Sequence, residues 1–333
     1  MLHDVTHVPF GHTLEDERRL FPRHDKGTRL AQLLDGGLGE QLTRLRIKEP
    51  LAALLGARSD MTMPRWPQQI VASTIDADLL DYLRRDAYFA GLRQDYDDRI
   101  YRYFTIDHDQ LAINMTKHGM ERPDARSETV ALLRLRYFLT ERVYYHHTKV
   151  AAGAMISKAV ELALGHGLTD SALLEYNDWT LIEALARMPD AGIGELITGF
   201  RQRRLYKRGY ALSARSIGDD ERRRLVAQHH ESPAARRNAE VELARAVGCP
   251  DHALIIYCPA LTVMKEAAVL VRRPEGLAPL NHDTADHRSE ITALEARYAD
   301  LWRFYVFVPP EFTTRAAHAA AEFFGASSEF IAG

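Results

Sequence analysis

The stretch from residue 125 to residue 166 constrains the fold most. It is rich in Ala and Leu and is the longest run in the chain with helical spacing, enough for one very long helix or two in succession. The same spacing recurs over residues 15–55, where Leu30, Leu33, Leu34 and Leu38 share a face and Gly36-Gly37 interrupts it. Over 68–92, Ile70, Val71, Ile75, Leu79, Leu80 and Leu83 turn inward. Helices are also predicted over 178–188, over 193–211 with an end near Gly209, over 219–247 and across the last twenty residues.

Strand signals are fewer. Tyr101, Tyr103 and Thr105, then Leu111, Ile113 and Met115, alternate around Asp107-His108-Asp109-Gln110, which predicts a small β-hairpin. Leu254–Tyr257, Ala268–Val271 and Tyr305–Val308 read as buried strands, the last stopped by Pro309-Pro310. The expected fold class is mainly α with one small hairpin. A helical body over 1–215 would be followed by a smaller α+β C-terminal lobe over 216–333.

With 46% hydrophobic and 27% charged residues, the 333-residue chain has ordinary globular composition, which excludes a disordered or collagen-like chain. The 43 basic and 46 acidic residues give a net charge of −3, so a globally basic nucleic-acid binder is disfavoured. Two cysteines, Cys249 and Cys258, form no CxxC pair and no disulfide framework. A reducing, cytoplasmic location is expected. The first twelve residues lack the layout of a signal peptide and no apolar run reaches about 18 residues, so no membrane partner is expected.

Chemistry is concentrated at the start. His3, Asp4, His7 and His12 fall within twelve residues, interleaved with Val5, Val8, Pro9 and Phe10. Imidazole and carboxylate are the donors that suit Mn, Fe, Zn or Ni. An inert His-rich tail would lack the interleaved apolar residues. Further on, Asp78, Tyr82 and Asp86 follow one another at helical spacing i, i+4, i+8, while Leu79, Leu80 and Leu83 take another face. A solvated charged face is the alternative, but such faces usually alternate acids with Lys. The basic run Arg201, Arg203, Arg204, Lys207, Arg208 reads as a solvated helix face or an intersubunit salt-bridge surface in preference to a phosphate site. Trp66, Trp179 and Trp302 read as core or interface residues.

The pair of motifs LHDVTHVPFGH and IDADLLDYLRRD resembles the HD-domain metal-dependent phosphohydrolases. Within them the chain is most similar to the dNTP triphosphohydrolase branch, which includes the sterile-alpha-motif and HD-domain dNTPase of vertebrates. Arg23–Thr28, Arg142–His147 and Leu205–Arg208 support the likeness, which covers residues 1–30, 70–91 and 134–210 and the C-terminal lobe only loosely. The resemblance implies a divalent metal ion (Mn, Fe, Zn, Ni or Mg) held by His3, Asp4 and Asp78. It implies His7 and His24 as acid/base groups at the scissile phosphate, and His12 on the phosphate chain. Tyr82 and Asp86 would hold the sugar, and Arg142, His146 and Lys149 would contact substrate or phosphate. Asp25 would orient His24, or else is a surface acid before a turn.

The implied reaction is hydrolysis of a dNTP to deoxynucleoside and triphosphate. The alternatives are a phosphodiesterase or nucleotidase acting on another phosphoester, and a non-catalytic regulatory or nucleic-acid-binding remnant. A nucleotide substrate and a homo-oligomer are the expected partners. Two departures stand out. The family's additional metal-binding His lies on a helix ahead of the HD pair, and the sequence starts after that point, which suggests an N-terminally truncated chain. Leu79 stands where the branch often carries Lys.

Overall fold

The computed structural model describes residues 2–24, 29–56, 63–282 and 285–330. It is 58% helical with small sheets, so the mainly α expectation holds. The chain divides into two interleaved units: residues 1–30, 146–262 and 300–333 form one, and residues 31–145 and 263–299 the other.

The first unit is built around a three-stranded antiparallel sheet with Arg303–Val308 in the centre, Lys207–Ser213 on one side and Ile255–Tyr257 on the other. Side chains alternate across a strand, so the sheet feeds two cores. Ala211, Ile255, Tyr257, Tyr305 and Phe307 pack with Val150, Ala154 and Met155 of the helix His147–Leu164. Tyr210, Leu212, Ile256, Phe304 and Val306 pack with Leu243 of the helix Pro233–Val247 and Ala316 of the helix Thr313–Phe324. Trp302 is fully buried in this second core and donates its indole N–H to the Pro259 carbonyl, whereas Trp179 is 81% exposed.

The second unit holds the helices Gly37–Arg44, Lys48–Leu54, Arg65–Val71, Ala77–Phe89 and Pro123–Leu139. It also holds a four-stranded sheet in which Gln110–Asn114 lies between Phe104–Asp107 and Leu270–Arg273. The hairpin forms at the expected place, and His108 and Asp109 take the positive φ angles of 44° and 67° that its two-residue turn requires. Asp76 caps the helix Ala77–Phe89 by accepting the Leu79 backbone N–H at 2.8 Å.

Elsewhere the structure departs from the helical reading. The run 125–166 is two helices, Pro123–Leu139 and His147–Leu164. The run 68–92 is also two, parted at residues 72–76. The run 193–211 is not helical throughout: a helix ends at Arg201 and Lys207–Ser213 is a strand. Gly209 does not end a helix. A Cβ there would lie 2.7 Å from that of Ala316, so glycine lets the helix Thr313–Phe324 pack against the strand. Arg201, Arg203, Arg204 and Lys207 are exposed, and Arg201 pairs with Glu183 at 3.3 Å. No helix among the described residues is long and apolar enough to cross a membrane.

Candidate metal and acid–base site

The opening segment is a string of tight turns in the first unit. A short 3-10 turn, Leu2–Asp4, leads through Phe10 and Gly11, both with positive φ, into the turn Thr13–Glu17. Two ties hold it. The Phe10 backbone N–H donates to Asp178 Oδ1 at 2.9 Å, and the buried side chains Val8 and Leu14 enter the first core. The helix His147–Leu164 passes the turn closely at Gly153, where a Cβ would lie 3.0 Å from Thr13 Cγ2.

These turns bring four of the expected histidines and Asp4 together. His3 Nε2 lies 3.1 Å from Asp4 Oδ2, and His7 Nε2 lies 3.3 Å from Asp4 Oδ1. The rings of His7 and His24 are 3.7 Å apart, and His12 stands edge-on to His7 at 4.9 Å. Asp4, His7 and His24 each offer a donor atom within 4.8 Å of the others, and so do His12, Glu15 and His24. Mixed imidazole and carboxylate donors at this spacing fit a divalent transition ion.

Glu15, which sequence reasoning missed, sits at the centre. Its carboxylate is fully buried and accepts from the His24 backbone N–H at 3.0 Å and from Arg29 Nη1 at 2.8 Å. Its Oε2 is also 3.1 Å from His24 Nδ1 and 3.6 Å from His7 Nδ1. Burial pushes this carboxyl up, but the hydrogen bonds from His24 and Arg29 outweigh it and hold the pKa at about 2. Burial, together with the neighbouring His24 and His12, lowers His7 below the usual imidazole value. His12 moves the other way, because its ring is hydrogen-bonded to Asp16, with Nδ1 2.8 Å from Oδ2. Arg23 completes that chain by donating to Asp16 Oδ1 at 3.1 Å. The acidic run Glu15-Asp16-Glu17 directly after His12 was the available signal, but nothing in it told which acid points inward. Asp25 lies outside the described residues.

Of the expected substrate contacts in this unit, His146 is the N-cap of the helix His147–Leu164, accepting from the Thr148 N–H at 3.3 Å. Lys149 is paired with Glu17 at 2.6 Å.

In the second unit, Asp78, Tyr82 and Asp86 lie on the helix Ala77–Phe89 as expected. Asp86 accepts from the Tyr144 hydroxyl at 2.9 Å and from Arg85 at 3.1 Å. Arg136 stands over the rings of Tyr82 and Tyr144 at 5.6 and 5.4 Å and donates to Glu266 at 3.0 Å. Burial raises the hydroxyls of both tyrosines. Tyr144 and Arg136 were also missed. Arg142 is half exposed and stacks on Phe138 at 4.7 Å.

The model of the HD associated region family matches residues 98–329. The chain belongs to this family. The His and Asp cluster of residues 3–24 lies ahead of the stretch on which membership of the HD associated region family rests. The chain is 28% identical over 172 residues to the uncharacterized protein YwfO of Bacillus subtilis, covering 49% of this chain and 36% of that protein. It is 28% identical over 168 residues to an uncharacterized protein of Methanocaldococcus jannaschii, covering 48% and 32%. The matched stretch thus spans only about a third of each curated relative.

Among solved structures, the chain is similar to a phosphohydrolase from Bacteroides thetaiotaomicron, with a TM-score of 0.61 and 19% identity over 92% of this chain and 77% of that one. A hypothetical protein from Aquifex aeolicus is similar at a TM-score of 0.65 and 18% identity, covering 96% and 78%. At these identities the likeness is one of fold.

Proposed function

We propose that this chain is a metal-dependent phosphohydrolase of nucleotides that converts a dNTP to deoxynucleoside and triphosphate. The observation that carries the proposal is the buried Glu15 carboxylate, shared by His24 and Arg29 and facing His7, beside Asp4. Unlike the buried Glu240, which meets cations and a backbone N–H, this carboxylate orients an imidazole next to further metal-type donors.

In this reading His3, Asp4 and Asp78 hold the ion, the last by resemblance to the HD-domain enzymes. A divalent ion in such a place supplies charge to polarise a phosphoryl oxygen and to acidify water. The residues divide the remaining work. Glu15 stays ionised and accepts the Nδ1 proton of His24, which leaves the lone pair on Nε2 facing the reaction. His7, neutral at pH 7, is suited to accept a proton. His12, whose hydrogen bond to Asp16 favours the protonated ring, is suited to the anionic phosphate chain. The opposite shifts of His7 and His12 suit a proton acceptor beside a cationic phosphate contact. Tyr82 and Asp86 would take the sugar, Asp86 accepting from its 3′-hydroxyl. Arg142, His146 and Lys149 would reach the phosphates, Lys149 by leaving Glu17.

The test is a product assay. The metal-loaded protein is offered each dNTP, each NTP and a synthetic phosphodiester, and the products are separated by anion exchange. Inorganic triphosphate from dNTPs is expected. Cleavage of the diester alone would favour a phosphodiesterase, and no turnover on any of them, with metal bound, would sink the proposal. Sedimentation at several concentrations checks the homo-oligomer that the same resemblance implies.

A further inference from the structure

Directly after the turn that presents Glu15, the first unit buries a cluster of charges. Arg18 is 3% exposed. Its guanidinium grips both oxygens of Glu240, at 2.9 and 2.8 Å, and also donates to Glu161. Lys158 donates to Glu240 at 2.6 Å, and Arg236 donates to Glu161 at 3.3 Å and to the Arg18 carbonyl at 2.8 Å. Glu240 also accepts the Ile256 backbone N–H at 3.0 Å.

Lys158 and Arg236 also face Glu161 and Glu240, and Arg237 adds a half-exposed cation near Glu161 at 3.5 Å. Arg18 is the cation that grips both carboxylates, and it does most to hold the Glu240 carboxyl down. What sets it apart is geometry, since it joins both carboxylates to the backbone that leaves the turn. Arg18 ties the exit of the turn Thr13–Glu17 to the helices His147–Leu164 and Pro233–Val247 and, through Glu240, to the strand Ile255–Tyr257.

We propose that Arg18 is a positioning residue: its two-carboxylate grip fixes the turn so that Glu15, three residues earlier, is aimed at His24. This rests on the phosphohydrolase reading for its effect on turnover, but not for its effect on geometry.

The experiment compares Arg18→Met and Arg18→Lys with the parent chain. Three readouts are taken: thermal unfolding, hydrogen exchange of the His24 backbone amide, and kcat against KM for the best nucleotide. The His24 amide is informative because its partner is Glu15. Arg18→Met leaves Lys158 and Arg236 opposite the two glutamates, so it should remain folded. Its His24 amide should exchange at least about tenfold faster while amides of the helix His147–Leu164 keep their protection. Turnover should fall about 10–100-fold with KM little changed, the scale seen when a partner that orients a working residue is lost. Lysine restores the charge but lacks the planar fork that spans two carboxylates, so it should not restore either readout.

A folded Arg18→Met protein with an unchanged His24 amide would overturn the proposal, as would full rescue by lysine. Unfolding of both variants would make Arg18 a folding residue and overturn it too. If the parent turns over no nucleotide, the phosphohydrolase reading fails, and the amide measurement still decides the positioning role.

Discussion

His24 meets Glu15 twice, through its backbone N–H at 3.0 Å and its ring Nδ1 at 3.1 Å, and both contacts end on the same carboxylate oxygen. That double contact fixes the backbone and the ring of His24 together. Thr6 Oγ1 adds a third hold by donating to the His24 carbonyl at 3.1 Å.

Replacing Glu15 by Gln should therefore lower kcat by about 10–100-fold, as for other lost orienting partners. The amide keeps the shape but cannot accept with both oxygens. Because the Glu15 carboxyl stays ionised down to about pH 2, it does not titrate in the working range. The acid limb of the parent's pH–rate profile should belong to an imidazole instead. Rate measurements from pH 4 to pH 9 on parent and variant check both statements, and a parent limb that vanished in Glu15→Gln would contradict the second.

His12 should be protonated over a wider range than an ordinary imidazole, since the Asp16 hydrogen bond raises it. Asp16→Asn removes that carboxylate, so the His12 proton should leave at lower pH. If His12 holds phosphate as a cation, KM should rise with pH, and in the variant that rise should begin earlier. An unchanged KM profile would remove His12 from substrate binding.

Much of this was legible in the sequence, for identifiable reasons. His3, Asp4, His7 and His12 are close in sequence, so turns of any kind bring them together. Asp78, Tyr82 and Asp86 follow the helical repeat and share one helix. What could not be read was inward direction and long-range pairing. Glu15 differs from Asp16 and Glu17 only in where a tight turn points it. The strand Leu270–Arg273 runs parallel to Gln110–Asn114, with Ile113 opposite Val271, and no local pattern encodes a partner so far away. Lys207–Ser213 reads as helix because Arg and Lys continue the preceding helix pattern. Pairing with Arg303–Val308 overrides that preference.

Stability should depend on His229. It is buried in the first unit, and burial lowers its pKa to about 4. Above pH 6.5 the ring is neutral in folded and unfolded chains alike, and this group imposes no penalty. Below that, the unfolded chain binds the proton and the folded one does not, so stability falls until about pH 4. The loss from this group alone is on the order of 3 kcal/mol. His229→Gln should flatten the thermal-stability curve between pH 6.5 and pH 4 while leaving the steeper loss below pH 4.5, where the unfolded chain protonates Glu15 and Glu240 and the folded one holds them ionised to about pH 2.

Tyr144 should tune the sugar site. Its hydroxyl donates to Asp86 at 2.9 Å, and its ring packs edge-on to Tyr82 at 6.2 Å. Tyr144→Phe keeps the ring and removes only the donor, so Asp86 keeps Arg85 but is free to turn. If Asp86 accepts from the 3′-hydroxyl, KM should rise about 3- to 10-fold with kcat nearly constant, less than the loss of a whole hydrogen bond to a carboxylate because Asp86 itself stays. A 2′,3′-dideoxynucleotide lacks that hydroxyl, and its KM should be the same for parent and variant. A matching rise for the dideoxynucleotide would place the effect elsewhere.

The final prediction separates ligands from acid–base groups within the cluster. Asp4, His7 and His24 are close enough to share an ion, yet His7 and His24 both face Glu15, and His24 is held there by hydrogen bonds. A ring engaged through Nδ1 has only Nε2 left, which can serve either an ion or a proton, but not both at once. The two roles differ in what survives substitution. As acid–base groups, His7→Ala and His24→Ala should each keep metal content near the parent's and lose about 10²–10⁴-fold in turnover. His3→Ala and Asp4→Asn should lose metal and activity together, and added ion should restore part of both. Bound metal is measured by elemental analysis after dialysis against a weak chelator, beside nucleotide hydrolysis at saturating ion. Loss of metal in His24→Ala, with retention in His3→Ala, would reverse the assignment and make the ion a guest of Asp4, His7 and His24.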